Sequence, residues 1–184
     1  VTQNTKRFPR CFWALDKALA YSRHYPAINW TDSYSEYFTD LDPWYEEHLG
    51  ADFIKYRRRI SGILHEENKL MEIVKLIGAD VLPDDQKLVI EMARIIRVGF
   101  LQQNAFHKED TYVPLEKQKR MMEVILYLNK KAKQLIAIPI SRITELGLFE
   151  KLVKMKYDIP NNRLDLFDDY KREIKEALSQ LAGN

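Results

Sequence analysis

An all-α bundle is the fold this sequence predicts, on three observations. Glycine and proline are scarce, 6 and 7 in 184 residues, too few to turn a β-sandwich about every ten residues. Apolar side chains recur at spacings of three and four along most of the chain, the period of a helix with one buried face. Hydrophobic residues make up 46% and charged residues 30%, a globular balance that supplies a core and argues against disorder.

The elements follow in order. Residues 1–7 are polar and read as extended chain or loop. Pro9 suits the first turn of a helix, and Phe12, Trp13, Leu15, Leu19 and Ala20 follow at helical spacing. Residues 10–22 are therefore expected as a short, largely buried helix. Tyr25-Pro26 demands an extended backbone at Tyr25, and Ala27-Ile28-Asn29-Trp30 reads as a brief strand or stretched connector. Residues 35–49 read as a helix with a break at Asp42-Pro43 and a stop at Gly50. Phe53, Tyr56, Ile60, Ile63, Leu64, Leu70, Ile73, Val74 and Ile77 then share one stripe, closed by Gly78. Pro83 with Asp84 and Asp85 opens the next helix, whose apolar positions run from Leu88 to Phe100 and which extends to about Phe106. Pro114 starts another, carrying Met121, Met122, Ile125, Leu128, Ala132, Leu135 and Ile136. Ser141 is the expected cap of a shorter helix through Leu152, weakened in its middle by Gly147. After Ile159-Pro160 the last helix runs through Leu164, Phe167, Tyr170, Ile174, Leu178 and Leu181.

The chemical inventory excludes more than it offers. One cysteine, Cys11, rules out a disulfide framework or a cysteine-based zinc site within the chain, and reads as a small buried hydrophobe. Lys+Arg number 29 against 27 Asp+Glu, a net charge of +2 that gives no reason to expect nucleic acid. No apolar run reaches the roughly 18 residues of a membrane span, and no signal-peptide pattern opens the chain. The first residue is Val1, which suggests a piece of something longer. No segment fits a glycine-rich phosphate loop. His24, His48, His65 and His107 stand singly; His65 with Glu66 and Glu67 points to different sides of one helix, a solvated face rather than a metal site. Lys55 and Arg57-Arg58-Arg59 spread around a helix as surface charge rather than forming a phosphate or RNA groove.

Two places hold more interest. Asp80, Asp84 and Asp85 sit in a turn between long helices, where capping explains them, yet the same turn exposes Val81-Leu82, which fits docking on a partner. Tyr25 is held extended by Pro26, and Phe106 follows the polar Gln102-Gln103-Asn104. A ring beside an amide suits a flat heterocycle, which stacks on the one and hydrogen-bonds the other, although periodicity alone favours core packing for both rings.

Pro26-Ala27-Ile28-Asn29-Trp30-Thr31-Asp32-Ser33-Tyr34-Ser35 resembles the rotary ATPase signature, P-[small]-[aliphatic]-[D/N/H]-x-x-x-S-x-S. Val1-Thr2-Gln3-Asn4-Thr5, Phe12-Trp13-Ala14-Leu15-Asp16, Arg23-His24-Tyr25, Leu101-Gln102-Gln103-Asn104-Ala105-Phe106 and Asp110-Thr111-Tyr112 narrow the resemblance to the catalytic A subunit of V-type and archaeal A-type ATPases. The match runs in the family's order from Val1 to about Gln118, and the helical remainder is compatible.

The resemblance implies the C-terminal third of a larger subunit. Residues 1–39 would be the trailing edge of the nucleotide-binding α/β domain, and 40–184 the C-terminal helical domain. Tyr25 and Phe106 match positions where the family places aromatics around adenine, with Gln102 beside them; the family usually has Phe where Tyr25 stands. Gly78-Ala79-Asp80-Val81-Leu82-Pro83-Asp84-Asp85-Gln86 resembles the acidic helix-turn-helix through which F-type β subunits push on the rotor, with fewer acidic residues, making Asp80, Val81, Leu82, Pro83, Asp84 and Asp85 the expected rotor contact. ATP or ADP with Mg is the implied cofactor of the intact subunit. The phosphate loop, catalytic glutamate and magnesium ligands lie upstream in the family, so no catalytic residue, no metal ligand and no tightly bound nucleotide are expected in this chain.

The implied partners are the B subunits, in an alternating A/B hexamer, and the central stalk. The implied location is cytoplasmic, peripheral to the membrane through the complex, with no nucleic acid and no direct membrane insertion. The function so implied is adenine-pocket support and transmission of nucleotide-driven motion in an ion-translocating ATPase/ATP synthase. The rival from another class is a free-standing helical protein-interaction module without a nucleotide role.

Overall fold

The computed structural model describes residues 5, 8–78, 80–135 and 137–183. Residues 1–4 of the opening motif, Ala79 of the acidic turn and Ile136 of the apolar stripe lie outside the described residues.

Among the described residues, two strands and eight helices follow one another. Strand β1 (Cys11–Leu15) is followed by a five-residue helix α1 (Lys17–Tyr21) and strand β2 (Ile28–Ser35). The two strands pair antiparallel, Phe12 opposite Tyr34 and Leu15 opposite Ile28. This corrects the single helix expected over residues 10–22. Asp16 decides it: its carboxylate accepts the Ala18 and Leu19 N–H groups at 2.8 and 3.1 Å, so helix can begin only at Lys17. The preceding residues satisfy their backbone on β2, where Phe12 stacks on Tyr34 with centroids 6.0 Å apart. α1 buries no residue, and Cys11 is only partly covered.

Between Phe12 and Ala14 the register shifts, and the signature residues fill the bulge. Asn29 Oδ1 accepts from the Thr31 N–H at 3.0 Å and the Thr31 hydroxyl at 2.7 Å, while Asn29 Nδ2 donates to Asp16 Oδ2 at 3.2 Å. Ser33 Oγ accepts the Ala14 N–H at 3.0 Å. The motif therefore locks the hairpin that presents residues 22–27.

The helices are α2 (Tyr37–Leu49), α3 (Asp52–Ile77), α4 (Asp84–Arg94), α5 (Leu115–Lys133), α6 (Ile140–Glu145), α7 (Leu148–Asp158) and α8 (Leu166–Gly183). Pro43 does not break α2. Rings hold the helix on both sides of it: Phe38, Tyr45 and Phe53 stack at 5.7 and 5.0 Å, and Trp44 lies 4.2 Å from His48. Gly78 closes α3 with φ +86°, donating its N–H to Val74 O at 2.9 Å. Pro83 and Pro114 sit just ahead of their helices as caps. The helix expected from Ser141 to Leu152 is two: Gly147 takes φ +70°, a left-handed conformation that ends α6 and starts α7, while Pro139 precedes α6.

α4 passes without interruption into a π-helical segment, Ile95–Leu101. Its last bond is Gln102 N–H to Arg97 O at 2.8 Å, five residues back. Gly99 lies where this segment meets α7: a Cβ there would stand 3.0 Å from Leu152 O and Val153 Cα. The apolar faces of α2 to α8 form one connected core from Leu49 to Leu178, with Met92, Ile96, Ile125, Leu128, Leu152 and Phe167 fully buried at its centre.

Candidate functional site

The π-helical segment delivers the chain to the loop 102–111, and the β hairpin delivers Tyr25 beside it. Gln103 donates its N–H to Tyr25 O at 2.7 Å, and Gln102 Nε2 lies 3.4 Å from Arg23 O. Just before Tyr25, buried His24 packs on Trp30 at 5.6 Å and reaches Arg97 O through Nε2 at 2.9 Å, so that nitrogen carries the proton. The Tyr25-Pro26 peptide is cis. The segments bearing Tyr25, Gln102 and Phe106 are thus joined by backbone hydrogen bonds.

Tyr25 is 55% exposed and Phe106 fully so. Core packing, which periodicity alone would favour, is excluded for both. Phe106 does not end the rod as expected; the helix stops at Leu101, because Gln102 turns extended to reach the hairpin. Phe106 sits five residues on, in a turn fixed by its own N–H to Asn104 Oδ1 at 3.0 Å.

Beneath the loop lies a set of buried charges that the sequence analysis did not single out. Lys156 of α7 donates to Gln102 O and pairs with Asp110 at 3.1 Å, both side chains almost wholly buried. Asp110 Oδ2 also accepts the Asn104 N–H at 2.6 Å, and Asp110 O accepts from Gln103 Nε2 at 2.9 Å. Lys117 of α5 is fully buried and donates to Lys156 O, Ile159 O and Asn161 Oδ1 at 2.9, 2.6 and 2.8 Å, closing the end of α7. Burial pulls both ammonium groups below their ordinary values; Asp110 works against that fall at Lys156, Glu109 and Asp110 at Lys117. Burial likewise pushes the Tyr157 phenol up, with Asp110 adding to it. Glu109 is held below its usual range by the Asn161 N–H it accepts at 2.7 Å.

The signal for these lysines was in the sequence. Lys156 follows Met155 and stands four after Leu152, and Lys117 stands four before Met121, so both occupy the apolar stripes of their helices. A lysine there must find oxygen partners.

A cavity of about 220 Å³ opens beside this network, lined by Pro26, Phe100, Gln103, Asp110, Gln118 and Lys156. The joined segments carry two exposed rings, Tyr25 and Phe106, and the Gln102 amide, and their Pro26 and Gln103 line the cavity; a ring face and an amide are groups that suit a flat heterocycle. Among the described residues no group of three or more His, Cys, Asp or Glu side chains could hold a metal ion.

The second predicted site is the turn between α3 and α4. Val81 is 67% exposed, but Leu82 is only 4% exposed. The expected Val81-Leu82 exposed pair is therefore divided: Leu82 is buried, and the outward apolar surface is Val81 with Leu76 and Ile77 of α3. Asp80 and Asp85 are exposed, whereas Asp84 accepts the Ile140 N–H at 3.2 Å and ties the turn to α6. The basic run divides too, Arg57 lying over the Phe38 ring at 3.3 Å and Arg58 standing 3.9 Å from Asp42.

A family model described as the C-terminal domain of V and A type ATP synthase matches residues 42–142. The chain is 53% identical over its whole length to the V-type ATP synthase alpha chain of Halothermothrix orenii, covering 32% of that protein. It is 58% identical over 98% of its length to V-type ATP synthase alpha chain 2 of Clostridium tetani, covering 31%. The corresponding A subunit of the A-type ATP synthase of Methanopyrus kandleri is 42% identical over 98% of this chain, again across 31% of the relative. The chain spans about a third of the length of these curated relatives.

Proposed function

The chain belongs to the family of the C-terminal domain of V and A type ATP synthase, and from that membership we propose that it is the adenine-side and motion-transmitting part of a catalytic A subunit. The observation that carries the reading is the 2.7 Å bond from Gln103 N–H to Tyr25 O, which brings two exposed-aromatic segments together across 78 residues of sequence. Nucleotide, when bound, supplies a flat purine and the phosphate chain whose binding and release set the open and closed states. Tyr25 and Phe106 offer ring faces to the purine, and the Gln102 amide offers hydrogen bonds to its edge. Residues 1–39 serve as the trailing edge of the nucleotide-binding domain and 40–184 as the helical lever domain.

Motion leaves the site along a rod. α4 and its π-helical extension run unbroken from Asp84 to Leu101, about 25 Å at roughly 1.5 Å per residue. A small rotation at the loop 102–111 becomes a larger displacement at the turn 80–85, where exposed Val81, Asp80 and Asp85 meet the central stalk. Leu82 and Asp84 brace that turn from within. The B subunits, in an alternating A/B hexamer, complete the assembly, which sits peripheral to the membrane; among the described residues no helix is long and apolar enough to cross one.

The chain holds no glycine-rich phosphate loop, so by itself it neither hydrolyses ATP nor binds it tightly. Calorimetry on the 184-residue chain is expected to return millimolar or undetectable binding; a micromolar constant would overturn the division of labour. In the longer subunit, Phe106→Ala should weaken nucleotide binding by about 1 kcal/mol without destabilising the fold, since the ring is fully exposed. Unchanged affinity removes Phe106 from the pocket. The free-standing interaction module finds no support in the relatives, whose similarity runs through the whole chain as one part of a longer ATP synthase protein.

A further inference from the structure

One surface of the bundle is built for a guest that neither the nucleotide loop nor the acidic turn explains. On α3, Arg59, Gly62, Ile63 and Glu66 form a stripe with spacings of three and four; on α5, Leu126, Asn129, Lys130 and Lys133 form another. The two stripes border a common open trough of about 570 Å³. Each covers about two helical turns.

Three features set this trough apart. Its floor contains Gly62 in the middle of a 26-residue helix, and a Cβ built there meets nothing within 4 Å. Glycine weakens a helix interior, and no packing inside this chain requires it here. What its missing side chain does permit is close approach of another backbone. Next, the rim carries three cations, Arg59, Lys130 and Lys133, against one carboxylate, Glu66. None of the three cations forms an ion pair among the described residues, although neighbouring Lys55 and Arg58 do. Lys130 and Lys133 complement the C-terminal dipole of their own helix, but Arg59 lies well inside α3 and has no such role. Finally, Ile63 and Leu126, core residues only 7% and 8% exposed, close the base of the trough, so its bottom is apolar while its rim is charged.

We propose that this trough docks an acidic amphipathic helix of a partner protein. The guest lays a small or leucine-bearing face over Gly62, Ile63 and Leu126 and directs carboxylates to Arg59, Lys130 and Lys133. The site lies about 20 Å along α3 from the turn at Gly78 and stands whether or not Tyr25 and Phe106 hold nucleotide.

The test uses the 184-residue chain, labelled with ¹⁵N, and a capped helical peptide of Glu, Ala and Leu whose glutamates flank an Ala/Leu stripe. A twin peptide with Lys for every Glu is the control. At low ionic strength, amide shifts should cluster at Gly62, Ile63, Leu126 and Asn129 with the acidic peptide and be absent with the twin. Gly62→Leu should cut affinity roughly tenfold by filling the trough while leaving the helical circular dichroism intact. The double variant Lys130→Glu/Lys133→Glu should abolish binding without filling anything. Shifts spread over Lys55, Arg58 and Lys69, equal binding of the twin, or unchanged affinity in Gly62→Leu would each overturn the proposal. So would a single-stranded RNA oligomer that occupies the same amides more tightly than the acidic peptide.

Discussion

Replacing Lys156 by methionine tests the network under the loop 102–111. Methionine matches the volume of the lysine stem, so the packing of α7 against the π-helical segment survives and only the ammonium is lost. Two contacts go with it, the 3.1 Å pair with Asp110 and the bond to Gln102 O. Asp110 then remains almost wholly buried, with the Asn104 N–H and the Tyr157 hydroxyl as donors but only the non-contacting charge of Lys117 to replace the lost cation. Removing one partner of a buried pair costs about 3–5 kcal/mol, because the survivor keeps its desolvation penalty. For a chain of this length that corresponds to a drop of roughly 6–20 °C in melting temperature. Urea unfolding followed by far-UV circular dichroism at neutral pH gives the number. Adding Asp110→Asn to Lys156→Met should recover at least about 1 kcal/mol, since the orphaned charge is removed as well. A loss below about 1 kcal/mol, the size expected of an exposed pair such as Arg172 with Asp169, would refute the claim that this ion pair anchors the loop.

Gly99→Ala and Gly62→Ala form a matched pair of opposite sign. At Gly99 the new methyl meets the Leu152 and Val153 backbone at 3.0 Å and should destabilise by about 1–3 kcal/mol, whereas at Gly62 open space leaves the propensity gain of roughly 0.5–1 kcal/mol; thermal melts showing the same sign for both would contradict the packing of α7 on the π-helical segment. Glu109 provides a pH test. Its carboxyl is depressed from an ordinary value of 4.5, chiefly by the Asn161 N–H, so it adds stability above that value and loses it as pH falls through the depressed one. The stability difference between the chain and Glu109→Gln should therefore shrink as pH falls below the ordinary value of 4.5; a difference independent of pH would show that the Asn161 contact does not stabilise the charged form.

The sequence by itself determined α3, α5 and α8, the closure of α3 at Gly78 and the opening of α4 after Pro83, and it nominated the aromatic and amide residues of the candidate site. Each is a local matter: apolar spacing, a capping residue, or an ordered motif shared with a family. Only the tertiary structure decided that Phe12 and Trp13 lie in a strand, because their helical spacing carries no record of the β2 backbone waiting to pair with them. It decided that Pro43 is tolerated, since the stacked rings that hold α2 come from Phe38, Tyr45 and the separate helix bearing Phe53. The same holds for Leu82 turning inward while Val81 turns out, and for the rod stopping at Leu101 rather than Phe106. Lys117 and Lys156 make the point most directly. They stand on apolar stripes that the sequence displays, but the oxygens that make their burial affordable come from residues 39 to 54 positions away. Periodicity reports what a residue's own helix wants to bury, and only the packed fold says which distant carbonyl or carboxylate will meet it there.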